Sequence, residues 1–359
     1  MPGGRDLKND ILNSSLCTLC GACLDWCPYI KNLDDNLVIT FDCNVAEGRC
    51  YTVCPRTNTD WHQVNSSFFT DADWSQEIGS CVKVYRAKSL SSIPGQQDGG
   101  TVSALLKTAL EEKLTDALLL TGSRDNMQPE SFITNSLSYI EKAAGSKFLA
   151  SPGFRKIMQA AQEGVKKLLV VGRPCQIQAL RKMQVSQADQ LKDMDIISIG
   201  LFCMWSLSWE FTNYLQNEYP GLTIKSMAIP RHGVEIMTNQ GVKTIPTAKV
   251  REFIRPGCSY CLDMTSELAD ISVGAFEAEA GWNTLIVRNS SGTELVSKAV
   301  GNGLLHVEDY PENELQLLKS ASFNKKARNL NSIKELIAND AINPPVNISQ
   351  YDYLEEVNS

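Results

Sequence analysis

Two isolated cysteines each follow an apolar run, and two more stand two residues apart after a Pro-Gly turn. Cys175 follows the apolar segment 168–172, and Cys203 follows the segment 196–202. Both runs predict buried parallel strands, whose carboxyl ends line the ligand crevice of an open α/β sheet. Cys258 and Cys261 offer half of a four-thiolate metal site. The sequence therefore predicts one cluster held by these four cysteines in the main domain.

The spacing of these cysteines leaves three other interpretations open. They are a structural zinc site, a dithiol redox pair and unlinked buried cysteines. The chain has 12 cysteines in 359 residues, and its first eight residues lack the apolar segment of a signal peptide. We therefore expect a cytoplasmic protein, in which grouped cysteines favour metal or redox chemistry over disulfide bonds.

The charge and hydropathy of the chain restrict its partners. A formal net charge of −7 argues against nucleic acid or an anionic membrane surface as the main partner. No apolar run approaches the roughly 20 residues that a membrane span needs, so no span is expected. With only three histidines, a histidine-built active site is not expected either.

Residues 17–28 read Cys17-Thr-Leu-Cys20-Gly-Ala-Cys23-Leu-Asp-Trp-Cys27-Pro28. This is the C-x2-C-x2-C-x3-C-P run of bacterial ferredoxins, in which the first three cysteines bind one [4Fe–4S] cluster. The fourth cysteine ligates the other cluster in two-cluster ferredoxins. The run predicts a ferredoxin-like domain over residues 1–58 with two clusters, and we expect a protein partner to dock near residues 10–60.

The second half of this region keeps the end of such a run but not its beginning. Ferredoxin pairing places Cys54 with the first three cysteines and leaves the second cluster with Cys27, Cys43 and Cys50. Glu47 stands where a further cysteine belongs. The open iron could be bound by Glu47, water or Cys81, or be absent from a three-iron cluster; the second cluster could also fail to form. A carboxylate is a harder ligand than a thiolate, so ligation by Glu47 should change the potential and make that iron labile.

Residues 81–325 alternate between strand and helix patterns and predict an α/β main domain after a linker over 59–80. Gly99-Gly100 precedes an amphipathic helix, whose free N–H groups would suit a phosphate, although a plain N-cap is the commoner meaning. A hairpin is predicted over 222–244. Lys249, Arg251 and Arg255 form either a solvated face or an anion site. Helices are predicted at 312–320 and 324–339, and residues 326–359 form a C-terminal helix and tail.

Seven short segments stand in a characteristic order in the main domain. In their order and spacing they resemble the beta subunits of coenzyme F420 hydrogenases and dehydrogenases, which include the F420H2 dehydrogenase input subunit and formate dehydrogenase beta subunits. The ferredoxin-like extension resembles the longer members. The segments are Asp98-Gly99-Gly100, Gly145-Ser-Lys147-Phe, Pro174-Cys175-Gln176, Gly200-Leu-Phe-Cys203-Met204, Gly257-Cys258-Ser-Tyr-Cys261, Ala269-Asp270-Ile-Ser-Val-Gly274 and Gly281-Trp282-Asn.

The resemblance implies a [4Fe–4S] cluster on the four cysteines of the main domain, Cys175, Cys203, Cys258 and Cys261, and an FAD beside it. It also implies hydride exchange between flavin N5 and the deazaflavin carbon, without a side-chain nucleophile, in a complex with other redox subunits. The residues that fall in segments expected to line the flavin are Asp98, Gly99, Gly100, Thr101, Lys147, Gln176 and Gly274.

Two segments depart from the family pattern. Members that use F420 resemble Gly-Ser-Val-Gly-x-x-Asp-Gly-Trp where this chain reads Gly274-Ala-Phe276-Glu277-Ala-Glu279-Ala-Gly281-Trp282. A phenylalanine and two carboxylates there should obstruct or repel an anionic coenzyme. The family's lysine- and tryptophan-bearing strand is Arg231-His232-Gly-Val-Glu-Ile-Met here. The two-electron carrier is therefore predicted to be F420 or another carrier.

Three hypotheses follow for the function. Iron–sulfur clusters pass single electrons and organic hydride carriers take two, and a flavin can join the two kinds of transfer. The first hypothesis is an FAD and iron–sulfur oxidoreductase subunit. The second is a non-catalytic electron-transfer subunit that links clusters in a larger complex. The third is a zinc-stabilised scaffold.

Overall fold

Short elements surround the cysteines in the N-terminal part of the chain. The computed structural model describes residues 2–124, 127–186, 189–230, 233–275 and 279–339. Two antiparallel hairpins, β1–β2 and β3–β4, belong to this part. Its elements are α1 (Gly4–Asp6, continued by a π-helix over Leu7–Leu12), β1 (Ile30–Leu33), β2 (Asn36–Ile39), α2 (Arg49–Thr52), α3 (Trp61–Phe68), β3 (Asp73–Ser75) and β4 (Gly79–Cys81).

An eight-stranded mixed sheet forms the centre of the α/β main domain, which we call the body. Its strand order is β15-β5-β14-β13-β9-β8-β6-β7, and β10, β11 and β12 form a separate antiparallel sheet. The strands are β5 (Lys83–Ser89), β6 (Ala117–Ser123), β7 (Pro129–Thr134), β8 (Lys167–Gly172), β9 (Asp195–Leu201), β10 (Ile224–Ala228), β11 (Val234–Thr238), β12 (Gly241–Ile245), β13 (Ile271–Gly274), β14 (Asn283–Val287) and β15 (Leu305–Asp309).

One edge of the large sheet collects the carboxyl ends of five strands. Strands β6, β8, β9 and β13 are parallel neighbours. Strand β5 is antiparallel to β14, which is antiparallel to β13, so β5 ends at the same edge. Loops that follow these strands are therefore brought together, as in other open α/β sheets.

Helices cover both faces of this sheet. Alternate residues of one strand point to opposite faces, so Leu118 packs with α4 and α10 and Leu119 packs with α7. Among the residues described, no helix is long and apolar enough to cross a membrane. The body helices are α4 (Thr101–Glu111), α5 (Ser138–Ala143), α6 (Lys156–Gln162), α7 (Pro174–Val185), α8 (Glu210–Glu218), α9 (Thr247–Arg251), α10 (Ser290–Gly301) and α11 (Glu312–Ala338), with 3-10 turns at Gly153–Arg155, Asp189–Leu191 and Pro256–Tyr260.

The predicted α/β class is confirmed, and two local expectations differ from the structure. Residues 222–245 contain three strands instead of a two-stranded hairpin. The C-terminal helix α11 is continuous where the sequence pattern predicts a break at 321–323, and it runs across the predicted boundary between 325 and 326. Ser322, in the predicted break, is buried and its hydroxyl donates to the Glu77 carbonyl oxygen; Lys325 and Lys326 are also buried and bonded to backbone carbonyl groups. Residues 340–359 of the predicted tail lie outside the described residues.

Part of the segment 59–80, where a linker is predicted, is folded against the body. Helix α3 begins after Asp60, whose carboxylate accepts a hydrogen bond from the Gln63 N–H at 2.9 Å. Its Val64 is fully buried, and the helix packs against α7. A single buried residue in a helix of eight residues gives a weak periodic signal, so the sequence pattern does not reveal it.

Candidate functional site

The four body cysteines line one small cavity at the edge where the parallel strands end. Cys175 is the second residue of α7, and Cys203 lies two residues after β9. Cys258 and Cys261 lie within and directly after the 3-10 turn Pro256–Tyr260. None of the four forms a disulfide bond. The described ranges contain no three His, Cys, Asp or Glu side chains close enough to hold a single metal ion.

Three basic side chains, Arg56, Arg173 and Lys325, line the same cavity. The Nζ of Lys325 donates to the carbonyl oxygens of Cys203 at 2.6 Å and Asp263 at 2.8 Å. These bonds hold its charge beside the thiols. Four thiolates around iron carry net negative charge, which neighbouring cations stabilise. The donor set and its charges therefore fit an iron–sulfur cluster.

Burial and neighbouring cations act in opposite directions on the pKa of three thiols in this cavity, Cys203, Cys258 and Cys261. Burial raises the pKa of Cys203 to about 12 and also raises the pKa of Cys258. Burial acts in the same direction on Cys261, but Lys325 and Arg56 outweigh it and lower the pKa of that thiol. Thiols must lose their protons to ligate a metal, so binding of a metal at this site would be coupled to proton release.

The structure brings together the four cysteines that ferredoxin pairing assigns to the first N-terminal cluster. Cys20, Cys23 and Cys54 are buried. Burial raises the pKa of Cys23 well above its ordinary value, and the neighbouring thiols Cys20, Cys17 and Cys54 raise it further. Burial likewise raises the pKa of Cys17 to about 11. We refer to Cys17, Cys20, Cys23 and Cys54 as the first N-terminal group.

The three remaining cysteines of this region form a second N-terminal group, Cys27, Cys43 and Cys50. Burial raises the pKa of Cys50 to about 11, and the nearby Cys27 and Cys43 add to the increase. A Cβ atom on Gly4 would lie 3.0 Å from the Cys43 Sγ, so the glycine leaves room beside this thiol. Glu47 is exposed, with φ of +64°. Its ligation of an iron stays a prediction.

Cys81, the alternative fourth ligand, is the last residue of β4 and lies apart from the second N-terminal group. Burial raises the pKa of its thiol, and the charged neighbours that influence it are Arg288, Lys319 and Asp73. This makes Cys81 a useful reference thiol.

The first N-terminal group adjoins the body site. Burial raises the pKa of Cys20, and the next largest contribution comes from the Cys175 thiol of the body. A Cβ atom on Gly257 would lie 2.4 Å from the Leu16 carbonyl oxygen, so the backbone before the CxxC pair approaches the backbone before Cys17 closely. The two cysteine groups therefore meet across the junction of extension and body.

A buried ion pair helps to join the N-terminal region to the body. The Arg255 guanidinium lies 2.9 Å from the Asp35 carboxylate, and both residues are buried. The same carboxylate accepts a hydrogen bond from the Trp209 N–H at 2.9 Å. Arg255, one of the three cations before the CxxC pair, thus has an internal partner, and Lys249 pairs with Glu252 at the surface.

A larger cavity of about 470 Å³ lies between the sheet edge and the small β10–β12 sheet. Binding sites for small molecules have volumes of about 300–1,000 Å³. Lys142, Lys147 and Lys225 line this cavity together with Phe148 and Phe211. Its lysines favour an anionic ligand, and the half-buried Phe148 offers a surface for a ring system.

Of the predicted flavin residues, Lys147 lines this cavity. Its Nζ donates to the carbonyl oxygens of Ala143 at 3.1 Å, Ala144 at 2.7 Å and Gly145 at 2.7 Å, which belong to the end of α5 and the turn after it. Burial lowers the pKa of Lys147 to about 8. Its charge is therefore held in the cavity wall and titrates near neutral pH.

Gly99 and Gly100 lie after β5 at the N-terminus of α4. A Cβ atom on Gly99 would lie 2.7 Å from the Asn283 Oδ1 and 2.8 Å from the Ala87 carbonyl oxygen, and Gly100 has φ of +68°. The Asn283 Oδ1 accepts a hydrogen bond from the Thr101 N–H at 3.2 Å. The Thr101 hydroxyl is buried and has no hydrogen-bond partner among the described residues.

The remaining predicted flavin residues lie along the same edge but outside the wall of the large cavity. Asp98 is exposed. The Gln176 side chain accepts a hydrogen bond from the Arg173 N–H at 3.0 Å and so helps to begin α7. A Cβ atom on Gly274 would lie 2.2 Å from the Phe202 ring, so only glycine fits there.

The segments that depart from the family pattern are described in part. Phe276, Glu277, Arg231 and His232 lie outside the described residues. Glu279 is described, and its carboxylate lies 3.0 Å from the Arg86 guanidinium. This carboxylate is thus placed against a cation of β5.

Two consecutive residues separate the cysteine cavity from the large cavity. Ser206 lines the cysteine cavity, and Leu207 lines the large one. The Leu207 N–H and the Ser206 hydroxyl both donate to the Phe148 carbonyl oxygen, at 2.9 Å and 3.0 Å. The two cavities are therefore neighbours across one stretch of backbone.

The sequence motifs did not identify the cations around the thiols. Arg56 directly follows Cys54-Pro55, and Arg173 precedes Pro174-Cys175, so their positions beside cysteine motifs were the available signal. Lys325 lies 64 residues beyond Cys261, and nothing in its neighbourhood along the chain marks it.

Comparisons with known families and proteins agree with the motif pattern. Two family models of the coenzyme F420 hydrogenase/dehydrogenase beta subunit match the chain, that of its C terminus over residues 165–313 and that of its N-terminal part over residues 84–157. The chain is 30% identical to a coenzyme F420 hydrogenase subunit beta of Methanosarcina barkeri, over 72% of this chain and 93% of that protein. It is 28% identical to a coenzyme F420-dependent sulfite reductase of Methanocaldococcus jannaschii, over 92% of this chain and 53% of that protein.

A solved structure shares the fold of the body. It is that of the F420-reducing [NiFe] hydrogenase complex from Methanosarcina barkeri, and one of its chains is 29% identical to this one with a TM-score of 0.68. The similarity covers 73% of this chain and 94% of that chain.

Proposed function

This chain belongs to the coenzyme F420 hydrogenase/dehydrogenase beta subunit family, and we propose that it is an iron–sulfur flavoprotein subunit of an oxidoreductase complex. In this function it relays electrons between a partner subunit and a two-electron carrier, which is F420 or another carrier. The observation that carries the proposal is the pair of neighbouring cavities, one lined by four cysteines and the other by three lysines and two aromatic residues.

The cluster assignment is supported by the shared cavity and its charges. Cys175, Cys203, Cys258 and Cys261 supply four sulfur donors, and Lys325 holds a positive charge beside them. Sulfur ligation is typical of iron–sulfur clusters, which exchange one electron at a time. Two further clusters are proposed on the first and second N-terminal groups, the second with Glu47 as the ligand of the open iron.

The large cavity is proposed to bind FAD. A flavin would supply the exchange between one-electron and two-electron transfer. Lys147 and Lys225 would neutralise an anionic pyrophosphate, and Phe148 would pack against a ring. The Ser206–Leu207 backbone would keep the ligand apart from the cysteine cavity while leaving the two close for electron transfer.

A non-catalytic electron-transfer subunit is the second candidate. It is favoured by the influence of the Cys175 thiol on the Cys20 pKa, which indicates that two cysteine groups are neighbours without involving the large cavity. In this function the N-terminal and body clusters would form a chain of one-electron carriers, and no flavin would be needed.

The cofactor content separates these candidates. We expect visible absorption from both clusters and flavin, about twelve iron atoms per chain for three four-iron clusters, and one FAD. Cluster absorption without flavin would favour the second candidate, and a colourless zinc protein would exclude both. Reduction by F420H2, NADH and dithionite in turn would then identify the two-electron carrier.

The shared body site is tested by removing one thiol. Cys258→Ala should lose about one cluster's iron, because its sulfur is one of four around a single cavity. Cys81→Ala is the matched control, since that thiol lies apart from all three cysteine groups, and it should keep the wild-type iron content. Full iron in Cys258→Ala would contradict the assignment.

A further inference from the structure

Arg56 lies between the first N-terminal group and the body site. It follows Cys54-Pro55 in the chain, yet its side chain lines the cavity of the four body cysteines. The residue is 5% exposed. One guanidinium nitrogen donates to the Tyr260 carbonyl oxygen at 3.3 Å, inside the turn that carries Cys258 and Cys261. The N-terminal extension thus contributes a cation to the wall of the body site.

The charge of Arg56 acts on both cysteine groups. Burial acts to lower the pKa of Arg56, but Cys261 and Cys175 of the body outweigh it and raise this pKa. Burial raises the pKa of Cys54, whereas Lys182 and Arg56 act to lower it. An arginine stays protonated in proteins, so this charge is permanent.

Two buried lysines each lie beside only one of the two sites, the first N-terminal group or the body site. The Lys182 Nζ donates to the Cys54 carbonyl oxygen at 2.7 Å and to the Thr57 hydroxyl at 2.6 Å, next to the first N-terminal group. The Lys325 Nζ is held by the Cys203 carbonyl oxygen beside the body site. These lysines provide references for an effect on one group at a time.

We propose that the positive charge of Arg56 raises the reduction potentials of both the body cluster and the cluster on the first N-terminal group. This inference rests on the proposed function, since it requires clusters at both sites. Net charge and hydrogen bonds around a cluster set its potential, and a fixed cation stabilises the added electron. A cation shared by two clusters shifts both potentials in the same direction, so it changes the difference between them less than a cation beside one cluster alone would.

Redox titration of the loaded protein tests this role. Arg56→Gln removes the charge and keeps an amide donor for the Tyr260 carbonyl group, whereas Arg56→Lys keeps the charge. In dithionite titrations followed by EPR, both potentials should fall in Arg56→Gln and stay near the wild-type values in Arg56→Lys. Lys182→Gln is the matched control and should lower the potential of the N-terminal cluster alone.

The iron content is measured first, so that the two levels of the proposal fail separately. Missing iron at either site in the wild-type protein would remove the proposed function and this inference together. With full iron, unchanged potentials in Arg56→Gln would overturn the inference alone, as would equal shifts in Arg56→Gln and Arg56→Lys.

Arg56→His is a second variant for the case in which Arg56→Gln does not load its clusters. An imidazole carries its charge at acid pH and loses it as the pH rises. Both potentials should therefore fall with rising pH by more in Arg56→His than in the wild-type protein. The same pH dependence in both proteins would overturn the inference.

Discussion

Glu47 determines how many irons the second N-terminal group is expected to hold. It stands at the position of a missing cysteine, close in sequence to Cys43 and Cys50. If its carboxylate ligates the open iron, Glu47→Ala should give the EPR signal of a three-iron cluster. Glu47→Cys should keep a four-iron cluster and shift its potential, because thiolate is a softer ligand. Unchanged EPR spectra in both variants would exclude Glu47 as a ligand.

The pKa of Lys147 gives a pH-dependent prediction for FAD binding. Below its pKa of about 8 the side chain is charged and attracts an anionic ligand; as the pH rises through 8 the charge is lost. We expect FAD affinity, measured by flavin fluorescence, to fall by about 10- to 150-fold over this range, which corresponds to a charged contact of roughly 1.5–3 kcal/mol. Lys147→Gln should bind FAD weakly at all pH values, without a change in affinity near pH 8. Lys142→Gln should keep that change in affinity. A step that persists in Lys147→Gln would assign the titration to another group.

For single residues, the sequence predicts where the thiols lie better than it predicts which side chains surround them. Cys175 and Cys203 could be placed at one sheet edge because each follows an apolar run, and parallel strands end together. The position of Lys325 beside the site could not be predicted, since this residue lies on a distant helix and is held by hydrogen bonds to two backbone carbonyl groups. A contact between residues far apart in the chain leaves no local sequence pattern.

The beginning of α4 depends on a side chain from another element. Asn283, at the start of β14, accepts a hydrogen bond from the Thr101 N–H and is itself buried. Asn283→Ala should therefore destabilise the protein by about 1 kcal/mol, the usual effect of losing a helix N-cap. The measurement is the midpoint of thermal unfolding. Asn289→Ala should lower it more, because Asn289 caps α10 and also donates to Asp270. The reverse order would contradict this ranking.

Among the helices and strands, those with strong local periodicity could be predicted and those without it could not. The apolar strands β8 and β9 were predictable because they are buried on both faces. Helix α3 was not, since Val64 is its one buried residue. The continuity of α11 was hidden for a different reason: Ser322, in the predicted break at 321–323, is a polar residue that is buried and bonded to the Glu77 carbonyl oxygen. Its partner becomes visible only in the folded chain.

The cysteine groups follow one another through the whole molecule. The second N-terminal group lies next to the first, since Cys50 is among the thiols that raise the Cys23 pKa. The first adjoins the body site through Cys20 and Cys175. The body site adjoins the large cavity across Ser206–Leu207. This order requires the N-terminal extension to be fixed on the body, so contacts at that junction should control electron transfer as well as stability.

Two ion pairs at this junction differ in burial and give the test. Arg255 and Asp35 are buried, and the Asp35 carboxylate also accepts the Trp209 N–H. Arg155 and Asp25 form an exposed pair at 2.6 Å, with 40% of each side chain accessible. Asp35→Asn leaves a buried guanidinium without its counter-charge and should destabilise the junction by about 3–5 kcal/mol. Asp25→Asn should change the stability of the junction by less than about 1 kcal/mol.

Limited proteolysis and cofactor analysis measure the two consequences. Asp35→Asn should release fragments from residues 1–58 faster than the wild-type protein, and reduction of the proposed body cluster through the proposed N-terminal clusters should slow down. Asp25→Asn should match the wild-type protein in both measurements, because solvent already screens its pair. If Asp35→Asn resists protease as well as the wild-type protein while its electron transfer slows, the buried pair acts on the clusters and not on docking. If the two variants behave alike in both measurements, burial of the pair does not determine how the extension is held.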